Sequence, residues 1–395
     1  MTFTKIKEML IVAGEAVLLA GITVVAVLPV SCKITEQGIK IVGGDYVPPV
    51  LNDFVVADEK TVVLNFSEKV EISGFVVAAV TDDLFDSQNH SSTLDLSPAL
   101  ERASGVYGSV DCSIIYEDEE GNIQSEGGGG GQILKFVLAQ QMDIGQGYEL
   151  YAKVRDSVGN TLTLAVPFTG YNSRVPELMI TEVQTESVSS QNKAEKEAGT
   201  YRNEYVEFLV LKSGNLAGLE LCSGYDGETK KYEFPAIEVN AGEVFVVHMR
   251  KRGNGCISEE GDDLTLATSS YTSNQVRDLW TDIETTTLGN KTDIIIVKNK
   301  ANRRLLDAVM FRASNIEAWT KTMIDYSQLL DEAEIYLSGD IENAFITDSL
   351  TATKTLNRTD ATTLQQQILD GIILDYPIPS SAEVWTVSDP SPGTL

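Results

Sequence analysis

Short apolar runs separated by turn residues dominate the chain from about residue 46 onward. In TVVLNFSEKV, the side chains of Val62, Leu64 and Phe66 fall on one face, and in EYVEFLVL those of Val206 and Phe208 do the same. This two-residue period is typical of β-strands with one buried face. Further strand candidates are GFVVAAV (74–80), QILKFVLAQ (132–140), LMITEV (178–183) and KTDIIIVKN (291–299). The pattern predicts an all-β protein built from antiparallel sandwiches.

Turn residues divide these runs. The stretch Asp156 to Asn160 separates two alternating segments and contains Gly159-Asn160, which is favourable turn chemistry for a β-hairpin. Five consecutive glycines, 127–131, predict a loop tip rather than a strand.

A helical interruption is predicted at residues 314–371. Ser314 and Glu317 have the spacing of a capping box, and apolar residues follow at helical intervals. These are Trp319, Met323, Tyr326, Leu329, Leu330 and Ala333. We expect this stripe to pack onto a sandwich, with a partner surface as the alternative. A second helix is expected at 363–369, ending before Gly371.

The first 31 residues have the pattern of a secretion signal. Lys5 and Lys7 precede an uncharged apolar run from Ala16 to Val30. Pro29 would end a helix there. An uncleaved anchor helix and a plain signal peptide cut nearby are alternatives, and every version exports the rest of the chain.

The stretch LPVSCKITEQ resembles the processing site of a bacterial lipoprotein signal. Ser31 precedes Cys32, while Leu28 lies four residues before the cysteine and Pro29 occupies the usual leucine position. The resemblance implies that Cys32 is lipidated and that residues 32–45 form a tether. Each buried methylene contributes about 0.8 kcal/mol, so two or three acyl chains would hold the protein durably at a membrane. The implied location is the outer membrane or the periplasmic face of the inner membrane.

The net charge restricts the partners. With 58 acidic and 30 basic residues the formal charge is −28. Nucleic-acid binding needs a basic surface, so we expect no nucleic-acid partner. Anionic lipid headgroups would also repel the chain, so membrane attachment should be hydrophobic or covalent.

Few residues offer metal or catalytic chemistry. The chain has four cysteines and two histidines and no Cys-x-x-Cys motif, so we expect no metal and no cofactor. The spacing allows a disulfide between Cys222 and Cys256 but does not require it. His248 is interpreted as a surface or structural residue, and the acidic stretch 117–120 as a solvated hairpin rather than a calcium loop.

Two segments of the first region resemble a bacterial Ig-like domain. These are KTVVLNFSEKV (60–70) and YELYAKVRDSVGNTL (148–162). The resemblance covers about residues 46–172 and implies an Ig-like β-sandwich.

The second region, 176–395, resembles a lamin-tail domain, which is another Ig-type sandwich. The similar segments are MITEV, NEYVEFLVL, NLAGLELCSG, YEFPAIEVNAGEVFVVH, LGNKTDIIIVKNKANRRLLDAVMF and WTVSDPSPGTL. Leu219 stands at the usual tryptophan position and Ser391 at that of a threonine. Two tandem Ig-like sandwiches with a helical insertion are therefore expected.

These features together predict a non-catalytic, lipid-anchored protein of a bacterial cell envelope. It would act in adhesion, scaffolding or surface assembly, through loops 82–130 and 184–203 that bind a protein or a glycan. The alternatives are an accessory module that recruits a secreted hydrolase or nuclease, and a glycan-binding module. We expect no enzymatic activity, because the chain contains no P-loop, nucleophile elbow or zinc motif.

Overall fold

Strands dominate the computed structural model. It describes residues 32–35, 38–41, 47–80, 110–123, 130–186, 203–268, 275–336 and 338–395. Two compact units divide the chain. The first contains the described residues up to 57 with 61–140 and 149–167, and the second contains 58–60, 141–148 and 168–395. The predicted all-β class is confirmed.

The lipoprotein prediction falls at the edge of the described chain. Residues 1–31 lie outside it. The segment expected to be a tether begins with a two-stranded hairpin, β1 (Cys32–Thr35) and β2 (Gly38–Ile41), in which Cys32 lies opposite Ile41. Among the described residues, no helix has the length and apolar character needed to cross a membrane.

The first unit is organised around one long strand. Its strands are β3 (Leu51–Val56), β4 (Thr61–Ala79), β5 (Cys112–Glu117), β6 (Gly131–Leu138), β7 (Gly147–Arg155) and β8 (Thr161–Thr169). They form one connected sheet in the order β5-β6-β4-β7-β8, and β3 pairs with β4 as well. The two apolar runs 61–70 and 74–80 are thus a single strand, not two. The Ig-like assignment of this unit stays a prediction.

Alternation along these strands places one face in the core. Leu64, Phe66, Phe136 and Leu150 are fully buried. Their neighbours in sequence are more exposed, as the period of two requires.

The predicted hairpin turn forms around Asp156. Its Oδ1 accepts backbone hydrogen bonds from Val158 at 2.9 Å, Gly159 at 2.7 Å and Asn160 at 2.8 Å. Gly159 has φ 97°, which favours glycine. The turn chemistry inferred from the sequence is confirmed.

The prediction that the five-glycine run forms only a loop was wrong at its end, because Gly131 is the first residue of β6. A Cβ there would come within 2.6 Å of the Glu117 carbonyl oxygen. The close approach of β5 therefore suits glycine in this strand.

The second unit contains two larger sheets. Its strands are β9 (Glu177–Gln184), β10 (Tyr205–Lys212), β11 (Gly214–Asn215), β12 (Leu219–Ser223), β13 (Gly227–Glu233), β14 (Glu238–Val239), β15 (Val244–His248), β16 (Arg277–Trp280), β17 (Thr292–Asn299), β18 (Leu305–Arg312), β19 (Phe345–Ile346), β20 (Thr355–Arg358) and β21 (Trp385–Ser388). The sheets run β16-β15-β10-β9-β20-β21 and β13-β12-β17-β18-β19, and β11 pairs with β14.

The two sheets of this unit enclose one apolar core. Phe208 and Phe245 from the six-stranded sheet stack with ring centroids 5.1 Å apart. They share a buried cluster with Leu221, Val297 and Phe311 from the five-stranded sheet. The second unit is therefore a two-sheet sandwich. It is not wholly antiparallel, since β15–β16 and β18–β19 are parallel pairs.

Two helices lie in the predicted interruption, α1 (Lys321–Ala333) and α2 (Ala361–Leu369). The capping-box prediction was wrong, because α1 begins after Thr320, whose side chain accepts a hydrogen bond from the Met323 amide. Ser314 instead donates its backbone N–H to Asp348 Oδ1 at 3.0 Å. A tertiary contact thus replaces the local cap at Ser314.

The interruption also contains a strand of the sandwich. β20 lies inside 314–371 and pairs with both β9 and β21. The region is therefore not purely helical, and the chain returns to the six-stranded sheet between the two helices.

The apolar stripe of α1 packs onto the five-stranded sheet. Met323, Tyr326 and Leu330 are buried in one cluster with Ile294 and Ile296. The preferred interpretation, packing onto the sandwich, is confirmed.

Replacement of Leu330 by alanine should lower the free energy of unfolding by about 2–5 kcal/mol, because it opens a cavity between α1 and the sheet. Ile324→Ala on the same helix is the control; this side chain is 45% exposed, and its loss should cost less than about 1 kcal/mol. Urea unfolding of the purified proteins measures both values. Equal losses in the two variants would contradict the packing described here.

Candidate functional site

The outer face of the six-stranded sheet carries a group of buried polar residues. Pairing of β10 with β15 and of β15 with β16 places Tyr205, His248 and Trp280 side by side across three strands. Glu207 and Asp278 lie in a parallel row two residues away on β10 and β16. Their sequence neighbours point into the apolar core, so these five side chains share the opposite face.

His248 is held between a carboxylate and an aromatic ring. Its Nε2 lies 2.9 Å from Asp278 Oδ1, and its ring stacks on Trp280 with centroids 3.9 Å apart. The sequence interpretation allowed a surface or a structural residue. Because His248 is 1% exposed, it is a structural residue and not a surface residue. Among the described residues, no hydroxyl or thiol is hydrogen-bonded to the imidazole, so the pair has no nucleophile to activate.

Glu182 is a buried carboxylate that the sequence analysis did not single out. It accepts hydrogen bonds from the Tyr205 hydroxyl at 2.7 Å, from Thr355 Oγ1 at 2.7 Å and from the Ser391 amide at 3.0 Å. Burial raises its pKa. This one side chain therefore connects β9, β10, β20 and the end of the chain.

Glu207 lies opposite Glu182 in the β9–β10 ladder. It accepts hydrogen bonds from Thr181 Oγ1 at 2.6 Å and from the Gly393 amide at 2.6 Å. Burial, with the neighbouring Glu182 charge, raises the pKa of Glu207 to about 8. The two carboxyl groups therefore hold a proton at neutral pH and bind the turn at Ser391–Gly393.

A weak signal for this pair exists in the sequence. Both glutamates interrupt strands that are otherwise apolar, LMITEV and YVEFLVL. A charged residue within such a run needs buried partners. Those partners lie as far as 209 positions away in the sequence, at Ser391.

The proposed disulfide partners are separate in the structure, and each remains a thiol. Cys222 packs under α1 with Ile294 and Met323, whereas Cys256 packs with Trp280. Cys256 Sγ also lies 3.4 Å from the Arg252 carbonyl oxygen, to which the thiol donates. The possible bridge between Cys222 and Cys256 is not formed in the structure, where the two residues lie in different apolar clusters. Burial raises the pKa of Cys222 to about 11, which keeps its thiol protonated and unreactive.

The predicted contact loops are described only in part. Residues 81–109, 124–129 and 187–202 lie outside the described chain. In the described part of the first loop, Asp118 Oδ1 accepts the amides of Glu120 at 3.0 Å and Asn122 at 2.8 Å, which closes a turn. Beside it lies a concave surface of about 380 Å³ lined by Lys69 and the acidic residues 118–120.

Metal binding gains no support from this turn. Within the described ranges, no group of three or more histidine, cysteine or acidic side chains is placed to hold a metal ion. The Asp118 oxygens serve the turn itself.

Fold and site together define an all-β protein whose second unit is a two-sheet sandwich. A family model described as "TP_1001_2nd: protein second domain" matches residues 176–387, and the chain belongs to this family. An "Uncharacterized protein" of Treponema pallidum (strain Nichols) is 30% identical over 179 residues, which are 45% of this chain and 42% of the relative. The chain thus matches less than half the length of that relative.

Solved structures show only distant likeness. A DUF4876 family protein from Bacteroides thetaiotaomicron is 11% identical, covers 63% of this chain and 82% of its own, and has a TM-score of 0.26. The N-terminal part of the bacterial S-layer protein SbsC is 16% identical, covers 51% and 40%, and has a TM-score of 0.21. At these TM-scores neither likeness carries an argument about fold or function.

The Glu207 carboxyl group predicts how stability depends on pH. Its pKa is about 8 in the folded chain against an ordinary value of 4.5, so the native state binds a proton that the unfolded chain has released. This stabilisation is complete below about pH 4.5 and is lost as the pH rises through about 8. We expect Glu207→Gln to become progressively more stable relative to the wild type between pH 5 and 8.

Chemical unfolding at several pH values measures this difference, with the exposed Glu260→Gln as control. The control should follow the wild-type pH profile. Parallel profiles for wild type and Glu207→Gln would show that Glu207 is ionised in both states.

Proposed function

We propose that the protein is a non-catalytic, lipid-anchored binding protein of a bacterial cell envelope. It would act in adhesion, scaffolding or surface assembly, with its sandwich units presenting contact surfaces. The observation that carries this proposal is that the side chains able to act as acids or bases are buried and bound within the fold. Four such side chains are at most 3% exposed: His248, Asp278, Glu182 and Glu207. His248 is hydrogen-bonded to Asp278, and the two glutamates bind the amides of Ser391 and Gly393.

Burial of these groups argues against a catalytic use, because a general base must reach the proton that it removes. A substrate would have to displace the turn at Ser391–Gly393 to reach Glu182 or Glu207. A sandwich whose buried carboxylates are bound within the fold is instead suited to holding loops in place.

The anchor part of the proposal rests on residues 1–32. A basic start, an apolar run and Ser31-Cys32 support modification of the Cys32 thiol. Several acyl chains would then attach an acidic protein that anionic headgroups repel.

Glycan binding receives less support. Glycan-binding faces usually stack sugars on exposed aromatic side chains. Among the described residues, the most exposed aromatic side chains are Tyr225 at 54% and Tyr171 at 36%. Tyr171 precedes β9 and Tyr225 lies in the β12–β13 turn, so they do not form a row on one sheet face. Protein contact is therefore the preferred form of the proposal over a glycan surface.

Metabolic labelling with an alkyne fatty acid tests the anchor. We expect the wild type to incorporate the label and to fractionate with membranes, and Cys32→Ala to do neither. Cys112→Ala is the matched control, since it removes a partly exposed thiol elsewhere and should keep the label. Equal labelling of Cys32→Ala and wild type, or a mature N-terminus with an unmodified thiol, would overturn lipidation at Cys32.

A further inference from the structure

A polar groove lies between α1 and the turn that joins β17 to β18. It has a volume of about 690 Å³, which is within the usual range for ligand sites. Arg303 and Arg304 line one wall, and Asp325, Gln328 and Glu332 line the other. The groove belongs entirely to the second unit.

The turn that carries the two arginines is fixed by its own hydrogen bonds. Asn299 Oδ1 accepts the Ala301 amide at 2.9 Å, and Asn302 Oδ1 accepts the Arg304 amide at 3.0 Å. Arg303 has φ 59°, a left-handed conformation that costs energy for a residue with a Cβ. The two guanidinium groups are therefore presented by an ordered turn.

Neither guanidinium is neutralised at short range. Among the described residues, no carboxylate oxygen lies within ion-pair distance of Arg303 or Arg304. Arg304 lies over the Tyr376 ring, 5.9 Å from its centroid. The pKa of Glu228 is lowered mainly by its hydrogen bond to Lys298, at 2.5 Å, and to a lesser extent by the Arg303 charge. This carboxylate therefore already has a basic partner.

Carboxylate partners are present at some other exposed basic side chains of the second unit. Lys300, three residues before Arg303, pairs with Glu233 at 2.9 Å, and Arg174 pairs with Glu238 at 2.6 Å. Across the groove, the side chains of Asp325 and Glu332 likewise make no hydrogen bond or ion pair with described residues. The two walls of the groove thus carry opposite charges that form no ion pair with each other.

We propose that this groove binds a peptide segment that carries both an acidic and a basic group. A carboxylate of the ligand would lie between Arg303 and Arg304, whose guanidinium groups suit forked hydrogen bonding to carboxylates. An ammonium group of the ligand would face Asp325 and Glu332. The assignment deepens the binding role proposed above and rests on it.

Calorimetric titration of the purified full chain tests the assignment. The probe is a short, alanine-spaced peptide with aspartate at one end, lysine at the other, and both termini capped. We expect it to bind at least tenfold more tightly than matched peptides that carry two aspartates or two lysines. The affinity should fall as salt is raised, because the contacts are charged.

Variants of each wall separate the two contacts. Arg303→Ala with Arg304→Ala, and Asp325→Asn with Glu332→Gln, should each weaken binding of the mixed peptide about tenfold. Lys300→Ala removes a neighbouring exposed lysine outside the groove and should change the affinity less than about twofold. Circular dichroism of each variant confirms that the exposed substitutions leave the fold intact.

Three results would overturn the assignment: no binding of the mixed peptide at millimolar concentration, equal binding of a peptide with one sign of charge, or unchanged affinity in both wall variants. None of these results depends on fatty-acid labelling at Cys32. Failure of the proposed peptide binding can therefore be distinguished from failure of the proposed membrane anchor.

Discussion

The six-stranded sheet of the second unit is buried on both faces, and this constraint governs what the rest of the unit can do. One face is apolar and packs against the five-stranded sheet. The other carries Glu182, Glu207, His248 and Asp278, whose burial would be unfavourable without partners. The turn at Ser391–Gly393 supplies backbone N–H groups to both glutamates. This turn is thus a structural part of the sandwich.

This arrangement links the energetics of the fold to the proposed function. Residues that could act as acids or bases are occupied with holding strands and the C-terminal turn together, and one of the two carboxyl groups retains its proton. Under the proposed binding role, recognition would therefore fall to the surface of the protein. The groove between α1 and the β17–β18 turn is a surface where Arg303, Arg304, Asp325 and Glu332 form no ion pair with described residues.

Local patterns in the sequence predicted the strands and one turn well. Alternation identified Val206 and Phe208 as core residues, and the Asp156–Asn160 turn follows from local hydrogen bonds. The start of α1 was misplaced because the Ser314 amide is satisfied by Asp348, a contact that local spacing does not reveal. Strand β20 was missed because it is only four residues long and is defined by pairing with distant strands.

The site was harder to predict for the same reason. Glu182 and Glu207 are visible as charges within apolar runs, but their role depends on a turn about two hundred residues away. The arginine pair is visible as Arg303-Arg304, yet only the structure shows α1 opposite to it. Long-range pairing and helix packing therefore determine the candidate site, and alternation along single strands does not encode them.

Hydrogen exchange at the amides of Ser391 and Gly393 tests the central claim most directly. If these amides are bound to the buried glutamates, they should be protected to the same order as the amides of β9 and β10. Exchange at the rate of an unstructured chain would contradict the account, because the polar face of the sheet would then be open to substrates.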